Sequence, residues 1–323
     1  IGANLVRELI DRGYEVVVLV RRSSAALDGL DVVRVQGDLS DAHGLGMAFR
    51  GVDQVYHLAA YISLQPGDHE RLESVNVEGT RHVLEACQSE GVSTLVHFSS
   101  IHALDPEPFD LPMTEDNPLL DSTSRHAGAY DLSKAQSERL VRRNDCASLD
   151  TRIIYPTAVF GPNDFNLSLF GQAFVKMAKG SLPALVAGGY DWVDARDVAC
   201  GAIEAAETAG DGDRFILSGQ YLDVSQVARV ISELTGVPAP RLTCPVWLAR
   251  LFAPAMGVWA RARGEAPIYT RESLATLSSN KVMSHAKASE KLSYRPRPFQ
   301  QSMRDALRFY SARNQIQAMN DGE

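Results

Sequence analysis

Apolar and polar positions switch between two periods along the first half of the chain. Leu5, Leu9 and Ile10 recur at helical spacing and stop at Gly13, a residue suited to a helix C-terminus. The β-branched run at 14–20 then predicts a buried strand, and 32–35 a shorter second one. A helix over 41–49 precedes a strand at 54–57. A long helix over 70–89, ended by Gly91, precedes an apolar strand at 92–98. A loop at 102–128, rich in Pro, Asp and Ser, leads to a helix over 129–143. The strand that follows, 152–155, stops at Pro156. Strands and helices alternating through short connections predict an α/β fold, a doubly wound parallel sheet with helices on both faces. Ligands bind such sheets beyond the C-terminal strand ends. Asp38, Leu58, Ala59, Ala60, Ser99, Ser100, Pro156 and Thr157 all fall there.

Beyond Gly161-Pro162 the pattern loosens. Helices over 169–179, 196–208 and 224–234 and a strand at 214–218 are followed by an apolar stretch, 245–260, holding Trp247, Phe252 and Trp259. These elements predict a smaller, mainly helical cap that lines an apolar pocket. The expected division is a sheet domain at 1–160 and a substrate-binding region at 161–323, interleaved with the last sheet elements. Arg250 and Pro254 interrupt the 245–260 stretch, which is too short to span a bilayer. Interfacial membrane contact there is the alternative. At the other end, a helix precedes the strand at 14–20 where a parallel sheet would normally place another strand first. The sequence therefore reads as an N-terminally truncated fragment.

The 323 residues are 45% apolar and 22% charged, as in an ordinary globular protein. A net charge of -8 argues against nucleic acid or an anionic membrane as the main partner. Cys87, Cys146, Cys200 and Cys244 are scattered, which fits reduced structural thiols and a cytoplasmic location. No set of residues has the spacing of a zinc site.

The chemistry concentrates in Tyr130-Asp131-Leu132-Ser133-Lys134. Tyr130 and Lys134 are four apart and share one helical face. Ser99 and Ser100 end the strand before. A phenol, an ammonium and a hydroxyl can together protonate a carbonyl beside a hydride donor. A Tyr-x-x-x-Lys pair alone is a weak signal, so its weight depends on a dinucleotide site built around it.

The motifs supply that context. Ile1-Gly2, Gly37-Asp38-Leu39, His57-Leu58-Ala59-Ala60, Asn76 in Asn76-Val77-Glu78-Gly79-Thr80, Ser99-Ser100 and Tyr130 to Lys134 occur in this order. Pro156, Gly161-Pro162, Trp192-Val193-Asp194-Ala195-Arg196-Asp197-Val198-Ala199 and Leu292-Ser293-Tyr294-Arg295-Pro296 follow. Together they resemble the extended short-chain dehydrogenase/reductase family over essentially the whole chain. The likeness is greatest to its dihydroflavonol-reductase and 3β-hydroxysteroid-dehydrogenase branch, and to bacterial proteins called hopanoid-associated sugar epimerases.

The resemblance implies a Rossmann-type domain at 1–160, a nicotinamide cofactor, a small-molecule substrate and a homodimer. It implies Ser100, Tyr130 and Lys134 as catalytic residues, with Lys134 also holding the nicotinamide ribose. Gly2, Asp38, Leu39, Leu58, Ala59, Ala60, Tyr130, Lys134, Pro156 and Thr157 become cofactor residues. Gly2 matches the last of the family's three loop glycines, where close helix-to-strand packing is expected. Arg21, beside Arg22, stands where NAD enzymes commonly place an acid. A guanidinium there suits a 2′-phosphate, so NADP(H) is favoured, with NAD(H) the alternative. The Lys134 ammonium and the cationic nicotinamide are together expected to lower the pKa of Tyr130. His97, on a strand, reads as buried structure and His102 as a pocket-lining candidate. The leading reading is a reductase or dehydrogenase acting on an apolar carbonyl or alcohol. One alternative is a nucleotide-sugar epimerase or dehydratase, with Lys176, Lys179, Arg261 and Arg263 as diphosphate ligands. The other is a cofactor-sensing regulator without chemistry.

Overall fold

The computed structural model describes residues 1–63, 67–124, 127–249, 251 and 282–317. Its first half runs α1 (Gly2–Asp11), β1 (Val17–Val20), β2 (Val33–Gln36), α2 (Ala42–Phe49) and β3 (Gln54–His57). Next come α3 (His69–Leu72), a π-helical turn (Glu73–Glu78), α4 (Gly79–Glu90), β4 (Thr94–Phe98), α5 (Ala129–Arg142) and β5 (Asp150–Pro156). The second half holds β6 (Ala158–Phe160), α6 (Leu169–Ala178), β7 (Leu185–Val186), β8 (Gly189–Asp194), α7 (Ala195–Thr208) and β9 (Asp213–Leu217). It closes with β10 (Gln220–Asp223), α8 (Val224–Thr235), β11 (Thr243–Cys244), α9 (Ala286–Lys291) and α10 (Phe299–Ala312).

The central sheet is parallel throughout, in the order β3-β4-β5-β9. Because strand side chains alternate, each central strand feeds two cores. Leu95, Ile153 and Ile216 face α2, α4 and α5 through Leu45, Phe49, Val83 and Val141. Their neighbours Val96, Ile154 and Phe215 face α1 and α7 through Leu5, Leu9, Val198 and Ile203. This is the doubly wound arrangement that the strand–helix alternation predicts. Burying each such side chain stabilises the fold by roughly 1.5–3 kcal/mol.

β1 and β2 pair with each other in parallel, and no ladder joins β1 to β3 among the described residues. The strand predicted over 14–20 is shorter, and it is less buried than expected: Val17 is 38% and Val33 61% exposed. The segment after β5 also contains strands that the sequence pattern did not predict, the mixed sheet β10-β8-β6 and the pair β11-β7. They accompany a third core, in which Phe174, Trp192, Ile231, Phe299, Met303 and Tyr310 bring together β8, α6, α8 and α10. Most of the 245–260 stretch, with Phe252, Trp259, Arg261 and Arg263, lies outside the described residues. Among those described, no helix is long and apolar enough to cross a membrane.

Candidate active site

Helix α5 begins at a glycine cap. The Asp131 carboxylate accepts the Gly128 N–H at 2.9 Å, and an acid in the first turn suits the helix dipole. The helix then buries a polar face, with Lys134 and Glu138 both nearly or fully removed from water. A charged stripe turned toward a sheet is costly unless every group is partnered, and here each one is. Lys134 Nζ donates to the Phe98 carbonyl at 2.7 Å. The Tyr130 and Ser100 hydroxyls are neighbours, and Ser100 Oγ accepts the His102 N–H at 3.1 Å. Ser99 is engaged elsewhere, donating its hydroxyl to Glu138 Oε2. The structure thus brings Ser100, Tyr130 and Lys134 together at the C-terminal end of β4.

The electrostatics differ from the expectation for Tyr130. Burial pushes its pKa upward, Asp131 adds to that, and only the neighbouring Ser100 hydroxyl pulls it down. The expected help from Lys134 is not seen, since that ammonium is turned to the Phe98 carbonyl. Lys134 is itself lowered by burial to about 8, with Glu138 opposing the shift. Near neutral pH the site therefore holds a neutral phenol beside a largely protonated amine.

Asn76 supports this arrangement. It lies in the π-helical turn that interrupts the predicted 70–89 helix, and such turns often mark functional sites. Its Oδ1 accepts the Tyr61 N–H at 2.7 Å. Its Nδ2 donates to the Tyr61 carbonyl at 3.0 Å and to Ser133 Oγ at 2.9 Å. Ser133 Oγ in turn donates to the Tyr130 carbonyl at 2.7 Å, so Asn76 pins the first turn of α5.

Beneath Lys134 lie two buried histidines, their rings 5.4 Å apart. His57 Nε2 meets Thr80 Oγ1 at 3.0 Å, whereas neither His97 ring nitrogen has a partner. Burial, aided by Lys134, depresses His57 to about 3 and holds His97 well below its usual value. The unfolded chain then binds protons that the native state refuses. Stability is full above about pH 6.5 and is lost as pH falls from there toward the folded pKa. The His57 share is about 2 kcal/mol at pH 5. His57→Gln is expected to lose less melting temperature between about pH 7 and pH 5 than the unsubstituted protein. An unchanged acid slope would contradict this assignment.

The cofactor residues inferred from the sequence occupy strand ends. Arg21 follows β1, is exposed, and lies near enough to Asp38 to help lower that carboxylate, after the larger effect of the Ser40 hydrogen bonds. Leu39 packs on the backbone of Gly79 so closely that a Cβ there would come within 2.7 Å of it, and its carbonyl bonds His82 Nδ1 at 2.7 Å. Leu58 is half-buried, and Ala59 and Ala60 are exposed beyond β3. Pro156 ends β5, and Thr157 Oγ1 donates to Asp191 Oδ1 at 2.8 Å. An exposed guanidinium, small exposed side chains and a buried ammonium along these ends fit a dinucleotide. The tight packing expected at Gly2 is absent: a Cβ there would meet no heavy atom within 4 Å.

Sequence reasoning missed three groups. Asp191 is 8% exposed and raised to about 6 by burial, against the Gly219 N–H and Thr157 bonds that favour its charge. Asp131, also raised by burial, lies 3.9 Å from His102 Nδ1. Glu138 was legible in principle, being four residues beyond Lys134 on the face that Tyr130 begins.

The parallel sheet wound on both faces makes this a Rossmann-like α/β protein. Residues 1–217 match the NAD dependent epimerase/dehydratase family, and the chain belongs to it. The chain is 34% identical over 322 residues to "Sterol demethylase protein B" of Methylococcus capsulatus, covering 98% of this chain and 97% of that one. It is 27% identical to a 3-beta-hydroxysteroid dehydrogenase of Mycolicibacterium neoaurum, covering 96% and 88%. Among solved structures, gox2253 superposes with a TM-score of 0.82 at 30% identity, covering 98% and 96%. The protein is accordingly an oxidoreductase of the extended short-chain dehydrogenase/reductase type.

Proposed function

We propose that the protein transfers hydride between NADP(H) and the carbonyl or secondary alcohol of an apolar substrate, using Ser100, Tyr130 and Lys134. The observation that carries this reading is the Tyr130 hydroxyl, placed beside Ser100 at the end of β4 with Lys134 one turn further along α5. When bound, the nicotinamide supplies or accepts the hydride. Tyr130, kept neutral by burial, donates its proton to the substrate oxygen as negative charge develops there. Ser100 orients the same oxygen and stabilises that charge. Lys134 holds the nicotinamide ribose and so keeps the hydride donor beside Tyr130. Asn76, through Ser133, holds the helix turn on which Tyr130 sits.

In this reading residues 1–160 hold the cofactor and 161–323 the substrate. Arg21 meets the 2′-phosphate, Asp38 and Leu39 flank the adenine, and Ala59 and Ala60 leave room for the backbone of the nucleotide. Lys134, Pro156 and Thr157 serve the nicotinamide end. Arg21→Ala is expected to weaken NADP⁺ binding about tenfold and leave NAD⁺ binding unchanged, as loss of a charge-assisted phosphate contact requires. Equal affinities before and after the substitution would sink the NADP(H) preference.

Phe160, Phe170, Phe174, Tyr190 and Trp192 form an aromatic cluster beyond β5, with Phe170 and Tyr190 only half-buried. Together with relatives named for sterol and steroid chemistry, this favours a fused-ring ketone or alcohol. The test is a panel of cyclic ketones, steroids, aldehydes and nucleotide sugars offered with NADPH or NADH. Net loss of the reduced-nicotinamide absorbance with fused-ring ketones is expected. Activity confined to nucleotide sugars, without net absorbance change, would refute the proposal.

A further inference from the structure

We propose that Glu138 is a positioning residue for the proton-transfer site, acting through Lys134 and Ser99 without touching substrate. The proposal rests on the assignment of Lys134, Tyr130 and Ser100 above. Glu138 lies one turn beyond Lys134 on the buried face of α5 and has no exposed surface. Its Oε2 accepts the Ser99 hydroxyl, and its Oε1 accepts both the Tyr155 hydroxyl and the Arg142 guanidinium, the latter at 2.8 Å. Arg142 also donates to the Tyr155 oxygen at 3.0 Å. One carboxylate thus ties α5 to the end of β4 and to β5.

Two consequences follow for the site. Ser99 immediately precedes Ser100, so the bond that fixes Ser99 fixes the turn aiming Ser100 at Tyr130. The second consequence is electrostatic. Tyr130 and Glu138 flank Lys134 on its own helix, while His97 on β4 and His57 on β3 face it as neutral rings. Arg142 and Tyr155 meet Glu138 directly. Glu138 is the group that favours the Lys134 ammonium against its burial. A packing role alone would not need a charge, since apolar residues of similar volume fill such positions as well or better.

The test follows NADPH binding, by its fluorescence, as a function of pH. In the unsubstituted protein affinity falls as Lys134 loses its proton, with a midpoint near 8. Glu138→Gln keeps the shape and removes the charge. Its midpoint is expected to drop by about one pH unit, weakening binding roughly five- to tenfold above about pH 8. An unmoved midpoint in a folded Glu138→Gln protein overturns the proposal. Tyr155→Phe removes a hydrogen bond to the same carboxylate and keeps the charge, so its midpoint should stay in place. A shift as large as that of Glu138→Gln would show a packing role and overturn the proposal as well. Lys134→Met should abolish the pH step. If the step persists, the assignment of Lys134 is what has failed, and the Glu138 proposal falls with it. Should Glu138→Gln not fold, Ser99→Ala decides. Turnover of the ketone found in the panel is expected to fall about tenfold with NADPH binding intact, and unchanged turnover overturns the proposal.

Discussion

Tyr130→Phe is expected to lower turnover about a thousandfold while NADPH binding and melting temperature stay near those of the unsubstituted protein. The substitution removes one hydroxyl whose side-chain neighbour is Ser100, so little of the fold depends on it. The proton it carries has no obvious substitute. Ser100 is a far weaker acid, the Lys134 ammonium is turned to the Phe98 carbonyl, and the buried His57 and His97 are held neutral without a proton to spare at neutral pH. Steady-state rates with a ketone substrate, beside a fluorescence titration of NADPH, separate the two effects. Near-normal turnover with Phe at 130 would rule out the assigned chemistry.

Lys134→Met should damage both cofactor binding and rate, by about tenfold and a hundredfold respectively, because the ammonium holds the ribose and with it the hydride donor's place beside Tyr130. It should also make the protein more stable. Burial lowers this lysine from 10.5 to about 8, so between those values the unfolded chain holds more protons than the native one. Native stability consequently rises with pH across that window, and below it the buried ammonium carries its full cost. Removing the charge is expected to gain about 1–3 kcal/mol at pH 7, the lower figure reflecting the lost bond to the Phe98 carbonyl. Thermal unfolding of the folded variant measures this. A protein destabilised by Lys134→Met would contradict the account of the ammonium as a strained, functional group.

The central sheet was legible because its strands are apolar runs bounded by turns and its helices carry clear stops. β3 matches the predicted 54–57, and α5 ends one residue short of the predicted 143. Elements set by tertiary contacts were not legible. The π-helical turn depends on Asn76 meeting Tyr61 and Ser133, residues distant in sequence. β6 and β10 are three and four residues long, too short for a period to emerge. Val17 and Val33 carry strand-forming side chains, yet side-chain type does not say whether a strand's face is covered. The same limit explains the reversed shift of Tyr130. Spacing placed a lysine four residues away, but desolvation, which governs the phenol, belongs to the folded protein. Glu138 was the readable omission, because the Tyr130–Lys134 spacing continues to it.

The central claim is that Tyr130 delivers a proton to an oxygen whose carbon receives hydride from a dissociable cofactor. Its most direct measurement uses NADPH deuterated at the transferable position, with the ketone that the panel identifies. The expected product is the alcohol bearing one deuterium on the new carbinol carbon, formed mole for mole with oxidised cofactor and absent with Tyr130→Phe. An isomerised product without deuterium and without net cofactor oxidation would contradict it.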